Sequence, residues 1–160
     1  MLKVFKVIHI AGVAMFLGSI FAHIATGFIP GAADNPPAML AARQAIALAT
    51  RYVTVPGLIA AIASGAVMVA RANTGFLKQR WLVLHIAAAT AIAAITVIVM
   101  VPVGWELASA AMAVGAGTLT PEAFAGLGVR EHVFGAVNIL LALAAIGFGT
   151  AKPRLRKDQS

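Results

Sequence analysis

The sequence predicts an all-α protein, a bundle of four helices crossing a membrane, and three observations carry that prediction. Of its 160 residues 61% are apolar and only 11% charged, with a mean hydropathy of +0.96. Such a chain has too little polar surface to cover a water-soluble globule. Four apolar runs long enough to span a bilayer follow one another, separated by segments rich in proline, glycine or charge. The basic residues gather at the ends of these runs, where they act as topology signals. The net charge of +7 therefore does not point to nucleic acid, and no basic-aromatic patch or recognition motif accompanies it. With no cysteine, the chain itself cannot supply disulfides, thiolate-ligated metals or iron–sulfur clusters. Its length fits a single domain.

The first helix is expected over about residues 2–28. Lys3 and Lys6 before an apolar core resemble a signal peptide, but the run is longer than such a core and lacks a cleavage site, so it reads as a retained helix. Gly12 and Gly18 allow close approach of another helix or a flat ligand, and Pro30-Gly31 breaks the run. Asp34-Asn35-Pro36-Pro37 reads as a turn. A second helix is expected over 38–71, amphipathic at first, apolar from Val53 to Ala70, and kinked at Pro56-Gly57. A third, over 79–103, enters at Trp81 and bends or ends at Pro102-Gly104.

The Ala- and Gly-rich stretch from Trp105 to Val129 reads as a loop with a short interfacial helix, started by Thr120-Pro121-Glu122. A fourth helix is expected over 130–150, followed by a basic tail. No internal repeat is evident. Lys3 and Lys6, then Arg71, Lys78 and Arg80, then the four basic residues of the tail mark one side; only Arg43, Arg51 and Arg130 mark the other. The positive-inside rule then puts both termini in the cytoplasm of a bacterial inner membrane.

Four histidines stand out against this background. His9 and His23 are fourteen residues apart, four turns less about 40°, so they share one helix face roughly 21 Å apart along the axis. Ionisable groups at membrane depth usually face the bundle interior and mark function, and imidazole is a common axial ligand of haem iron. The topology pairs His9 with His85 at the cytoplasmic depth and His23 with His132 at the outer one. A four-helix bundle holds such ligands on facing helices, so two haem b groups per chain are expected. Met100 is an alternative axial ligand, and Met15, Met68, Met100 and Met112 together raise copper as a rival. Arg43 and Arg51 on one side, with Lys78 and Arg80 on the other, are candidates to pair with haem propionates. Asn138 is expected to make an interhelical hydrogen bond. No nucleophile–base triad, phosphate loop or HExxH zinc motif occurs.

FKVIHIAGVAMFLGSIF in the first helix, TVPGLIAAIASGAVMV in the second and LKQRWLVLH entering the third resemble HemJ-type protoporphyrinogen oxidases and the related CopD-like membrane proteins. The likeness covers about residues 5–100 and rests on Phe5, Lys6 and His9, on Pro56-Gly57, and on Trp81-Leu82. It implies a haem-binding role for His9. The oxidases typically carry a histidine two residues after the tryptophan and a lysine four after it, where this chain has Val83 and His85. The basic residue expected late in the first helix is also replaced, with His23 and Ala25 in that region. These departures add histidines and favour a cytochrome on the same scaffold.

The expectation is thus a membrane b-type cytochrome transferring single electrons, with a quinone or small oxidant as redox partner. The rivals are a single-haem protoporphyrinogen oxidase and a copper-handling or structural membrane protein. Membrane lipid is an expected partner and nucleic acid is not. The small-residue helix faces permit a homodimer.

Overall fold

A computed structural model describes residues 2–27, 35–71 and 79–152. The described chain is four helices, each long and apolar enough to cross a membrane: α1 (Leu2–Gly27), α2 (Pro36–Arg71), α3 (Arg80–Gly115) and α4 (Pro121–Ala151). Among the described residues there are no strands.

Capping explains where the helices begin. Asn35 accepts a hydrogen bond from the Ala38 amide, with prolines in the first turn whose missing donors would be unsatisfied there anyway. Thr120 caps α4 in the same way, through the Ala123 amide, with Pro121 at the first position and Glu122 in the first turn. The start signal read at Thr120 is therefore correct, but it opens α4 itself and not a separate interfacial piece. α4 then runs unbroken past Glu131, so His132 sits well inside a helix and not at its start. The stretch expected to be a loop is helical on both sides of a short turn near Gly117, whose φ of 71° lies in the left-handed region. Alanine, the best helix former, decides this segment over the glycines scattered in it.

Each of the two middle helices carries a π-helical turn, Thr50–Thr54 in α2 and Thr96–Met100 in α3. A proline follows each one two residues later, Pro56 and Pro102. In a regular α-helix the proline ring would strike the carbonyl four residues back. The widened turn, with Val55 N–H bonded to Thr50 O and Val101 N–H to Thr96 O, lets each helix continue past it. Pro102 thus ends nothing, and α3 reaches Gly115.

Packing divides the bundle into two hairpins. α1 lies against the Val55–Arg71 part of α2, and the Arg80–Ile95 part of α3 lies against α4. Gly12 and Gly57 bring the first pair together so closely that a Cβ on Gly12 would stand 2.6 Å from the Ala61 nitrogen and 2.7 Å from the Gly57 oxygen. The first half of α2 packs on the last half of α3. There Met39, Ala111 and Val114 form a core with Phe124 against it, and the Arg43–Glu131 ion pair ties α2 to α4. Toward the other end α1 and α3 approach through side chains, Phe16 sharing a buried cluster with Ile92.

The hairpins also match in detail, which corrects the expectation that no repeat is present. His9 in α1 corresponds to His85 in α3, and Ala61 and Gly65 in α2 to Ala145 and Gly149 in α4 (below). Seven residues after each histidine come Phe16 and Ile92, which meet Leu58 and Ala142 in one buried cluster. Four residues before each histidine, Phe5 lies under Arg71 (5.2 Å) and Trp81 under Lys152 (5.6 Å).

Candidate functional site

Two layers of polar groups lie within the bundle, one on each side of the Phe16–Leu58–Ile92–Ala142 cluster.

The first layer is the histidine pair. His9 Nδ1 donates to the Ala61 carbonyl at 2.8 Å, and His85 Nδ1 donates to the Ala145 carbonyl at 2.8 Å. A carbonyl only accepts, so both rings carry a proton on Nδ1. The ring centroids are 6.2 Å apart, with the planes inclined at 51°. Each ring packs beside a glycine of its partner helix. A Cβ on Gly65 would lie 3.4 Å from His9 Cε1 and Nδ1, and one on Gly149 would lie 3.4 Å from His85 Cε1 and Nδ1. The two rings are thus brought close together from separate hairpins.

The second layer lies on the far side of the cluster. Ser19 and Thr54 join α1 to α2 by a hydrogen bond between hydroxyls, and Asn138 Nδ2 donates to Thr96 Oγ1 at 3.1 Å to join α4 to α3. This is the interhelical bond expected of Asn138. Ser19 Oγ also lies 3.3 Å from His23 Nε2. A cavity of about 50 Å³ opens beside these groups, lined among others by His23, Met100, Glu131 and Asn138. Asn138 is buried, and its Oδ1 has no hydrogen-bond partner among the described residues.

The structure brings together His9 and His85 but not His23 and His132. His132 lies on the exposed face of α4 and does not line the cavity that His23 lines. Met100 does line it, and its place four residues after Thr96 matches that of His23 four residues after Ser19. The methionines raised for copper are scattered: Met15 and Met112 are exposed on different helices. Among the described residues no three His, Asp or Glu side chains gather as a metal site. Arg51 is exposed, rests on Tyr52 at 5.5 Å, and stands ten residues before Ala61 on α2, about 15 Å along the axis from the histidine layer. Arg43 is held by Glu131 and stacks on Phe124 (5.4 Å) at the same far end. Arg80 opens α3 at the histidine end, and Lys78 lies outside the described residues. The π-helical turns and the orphan carbonyl of Asn138 had no signal in the sequence beyond the Val-Pro pairs that follow each turn.

Residues 3–153 match the family described as predicted integral membrane protein (DUF2269). The chain belongs to that family and is a multi-pass integral membrane protein. No curated protein and no solved structure matches it.

Proposed function

For this DUF2269 membrane protein we propose that one haem b binds between the hairpins with His9 and His85 as its axial ligands, and that the protein is a b-type cytochrome. The single observation that carries this reading is the pair of Nδ1-to-carbonyl bonds on two imidazoles whose ring centroids lie 6.2 Å apart. Metal-bound histidine usually donates its other ring nitrogen to a carbonyl or carboxylate, which fixes the tautomer and the ring. His9 and His85 would hold the haem from the two hairpins, each ring steadied through its carbonyl partner. Two imidazoles are too few for a bare zinc ion, which takes three or four protein ligands. They suit an iron that brings its other donors in a macrocycle.

When bound, such an iron exchanges single electrons. The chain's own residues would hold it and fix the ring orientation through Ala61 and Ala145. The Phe16–Leu58–Ile92–Ala142 cluster would close the layer from one side. Arg80, with Arg71 and Lys152, supplies positive charge at the end where propionates would emerge. His23 and His132 are not so arranged, and the proposed stoichiometry is one haem per chain. The motif likeness to the HemJ-type oxidases is compatible with this site, but with both His9 and His85 engaged in holding the haem the group would serve as an electron carrier.

The test is a visible spectrum and a pyridine haemochrome on the purified protein. A low-spin reduced spectrum with about one haem per chain is expected, lost in both His9→Ala and His85→Ala and kept in His132→Ala. Full haem content with an unchanged low-spin spectrum in His9→Ala would remove the ligand assignment. A second haem that disappears in His23→Ala would restore the two-haem arrangement.

A further inference from the structure

We propose that the far half of the bundle is a binding site for a lipid-soluble quinol, whose hydroxyl donates a hydrogen bond to Asn138 Oδ1. This names the redox-partner class for the cytochrome reading and rests on it for its role, although binding itself does not require the haem.

The orphan acceptor comes first. Asn138 is 4% exposed, its amide nitrogen is engaged by Thr96, and its Oδ1 is left without a donor. A buried carbonyl in that state costs about 1–3 kcal/mol, so such a group, unpartnered among the described residues, calls for an O–H or N–H donor. The cavity beside it has a second, larger space as its neighbour. A groove of about 200 Å³ between α2 and α3 shares Thr50 and Gly104 with the 50 Å³ cavity. Its walls include Ala47, Val55 and Val101, and Arg51 and the 56% exposed Trp105 stand at its rim. An apolar groove open on the outer surface of a transmembrane bundle is reached from the lipid. Its size suits one substituted ring and is too small for a fused macrocycle.

The backbone points to the same place. The first and last residues of both π-helical turns, Thr50, Thr54, Thr96 and Met100, line the inner cavity. π-turns interrupt helices at a cost and occur frequently at functional sites. Here they set four side chains around one space. His23 and Glu131 line it too. A ring in the groove with a hydroxyl toward Asn138 satisfies the acceptor, the apolar walls and the lipid access together. Water alone would satisfy only the first.

The full chain in lipid nanodiscs is titrated with a radiolabelled decyl-chain benzoquinol and, in parallel, with its bis-O-methyl ether, which has no hydroxyl donor. Retention is measured over empty nanodiscs. The quinol is expected to bind about tenfold more tightly than the ether, the scale of one lost hydrogen bond to a buried acceptor. In Asn138→Leu both should bind with the ether's affinity. In Gly104→Leu both should weaken, because Gly104 lines the groove and a Cβ there meets nothing within 4 Å, so the added side chain starts in the open space it would fill. Equal binding of quinol and ether by the wild type, retention no greater than in empty nanodiscs, or an unchanged preference in Asn138→Leu would each overturn the proposal. The wild-type comparison needs no variant to fold. Haem content, read in the same samples, is independent: quinol binding without haem would remove the cytochrome reading alone, and haem without quinol preference would remove this one alone.

Discussion

At the scale of single residues, the histidine layer is set by backbone. Each imidazole is oriented by a main-chain carbonyl of the neighbouring helix, at 2.8 Å in both cases, so no side-chain substitution on α2 or α4 deletes the acceptor. What substitution can do is move the ring. Gly65 and Gly149 lie against the His9 and His85 rings, where a Cβ would already be in contact at 3.4 Å. Larger side chains there must displace the imidazoles, at the 1–3 kcal/mol typical of overpacking. Gly65→Leu and Gly149→Leu should therefore lower haem content or convert the low-spin spectrum to high spin, with helical circular dichroism unchanged. Gly147→Leu, on the same helix in open space, is the control and should leave the spectrum intact. If Gly65→Leu keeps a wild-type spectrum, the ring is not where the ligand reading needs it.

At the scale of elements, the α1–α2 crossing is the tightest contact between helices. Gly12→Ala would push a methyl carbon into backbone atoms of Ala61 and Gly57 that have no side chain to swing away, so we expect a loss of about 1–3 kcal/mol. Gly18→Ala, facing open space on the same helix, should be neutral or stabilising by up to about 1 kcal/mol. Unfolding in mixed detergent micelles would measure both, and equal effects would mean that the close crossing is absent. The sequence marked both glycines alike, since composition shows that a helix can be approached but not which face is. The same gap between composition and contact explains the other elements. Four spans and the His9–His85 pairing were legible from hydropathy and spacing. The helix through Trp105 to Gly115 was not, because Pro102 reads as a stop unless a π-turn absorbs it. The repeat was hidden as well, since beside the identical pairs His9 with His85, Ala61 with Ala145 and Gly65 with Gly149 its other partners match by place alone: Phe16 with Ile92, Leu58 with Ala142, Thr54 with Asn138.

At the scale of the whole molecule, each hairpin contributes one imidazole, so neither completes the layer alone. Residues 1–75 and 76–160 expressed as separate chains should recover the low-spin spectrum only when produced together. Recovery by one half alone would mean that His9 and His85 do not act as a pair. The count of basic residues makes a further prediction about orientation. A reporter active only outside the cytoplasm should be silent after Ser160 and active when inserted in the turn at residues 116–118; the reverse would invert the molecule. The lengths of α2 and α3 carry a last consequence. Each has 36 residues, about 54 Å of helix against a hydrocarbon layer of about 30 Å. Trp81 and Trp105 on α3 are 24 residues apart, about 36 Å, the spacing of the two aromatic belts of a bilayer. The chain beyond Trp105, with the start of α2 and the first turns of α4, then stands clear of the hydrocarbon as a helical crown. Arg43–Glu131 and Arg130–Glu106 are its clasps. Membrane thickness thus becomes a setting of the protein. A thicker bilayer would draw the crown and its ion pairs into the lipid and a thinner one would expose the groove beneath Trp105, so thermal stability should peak near 30 Å of hydrocarbon and fall on either side.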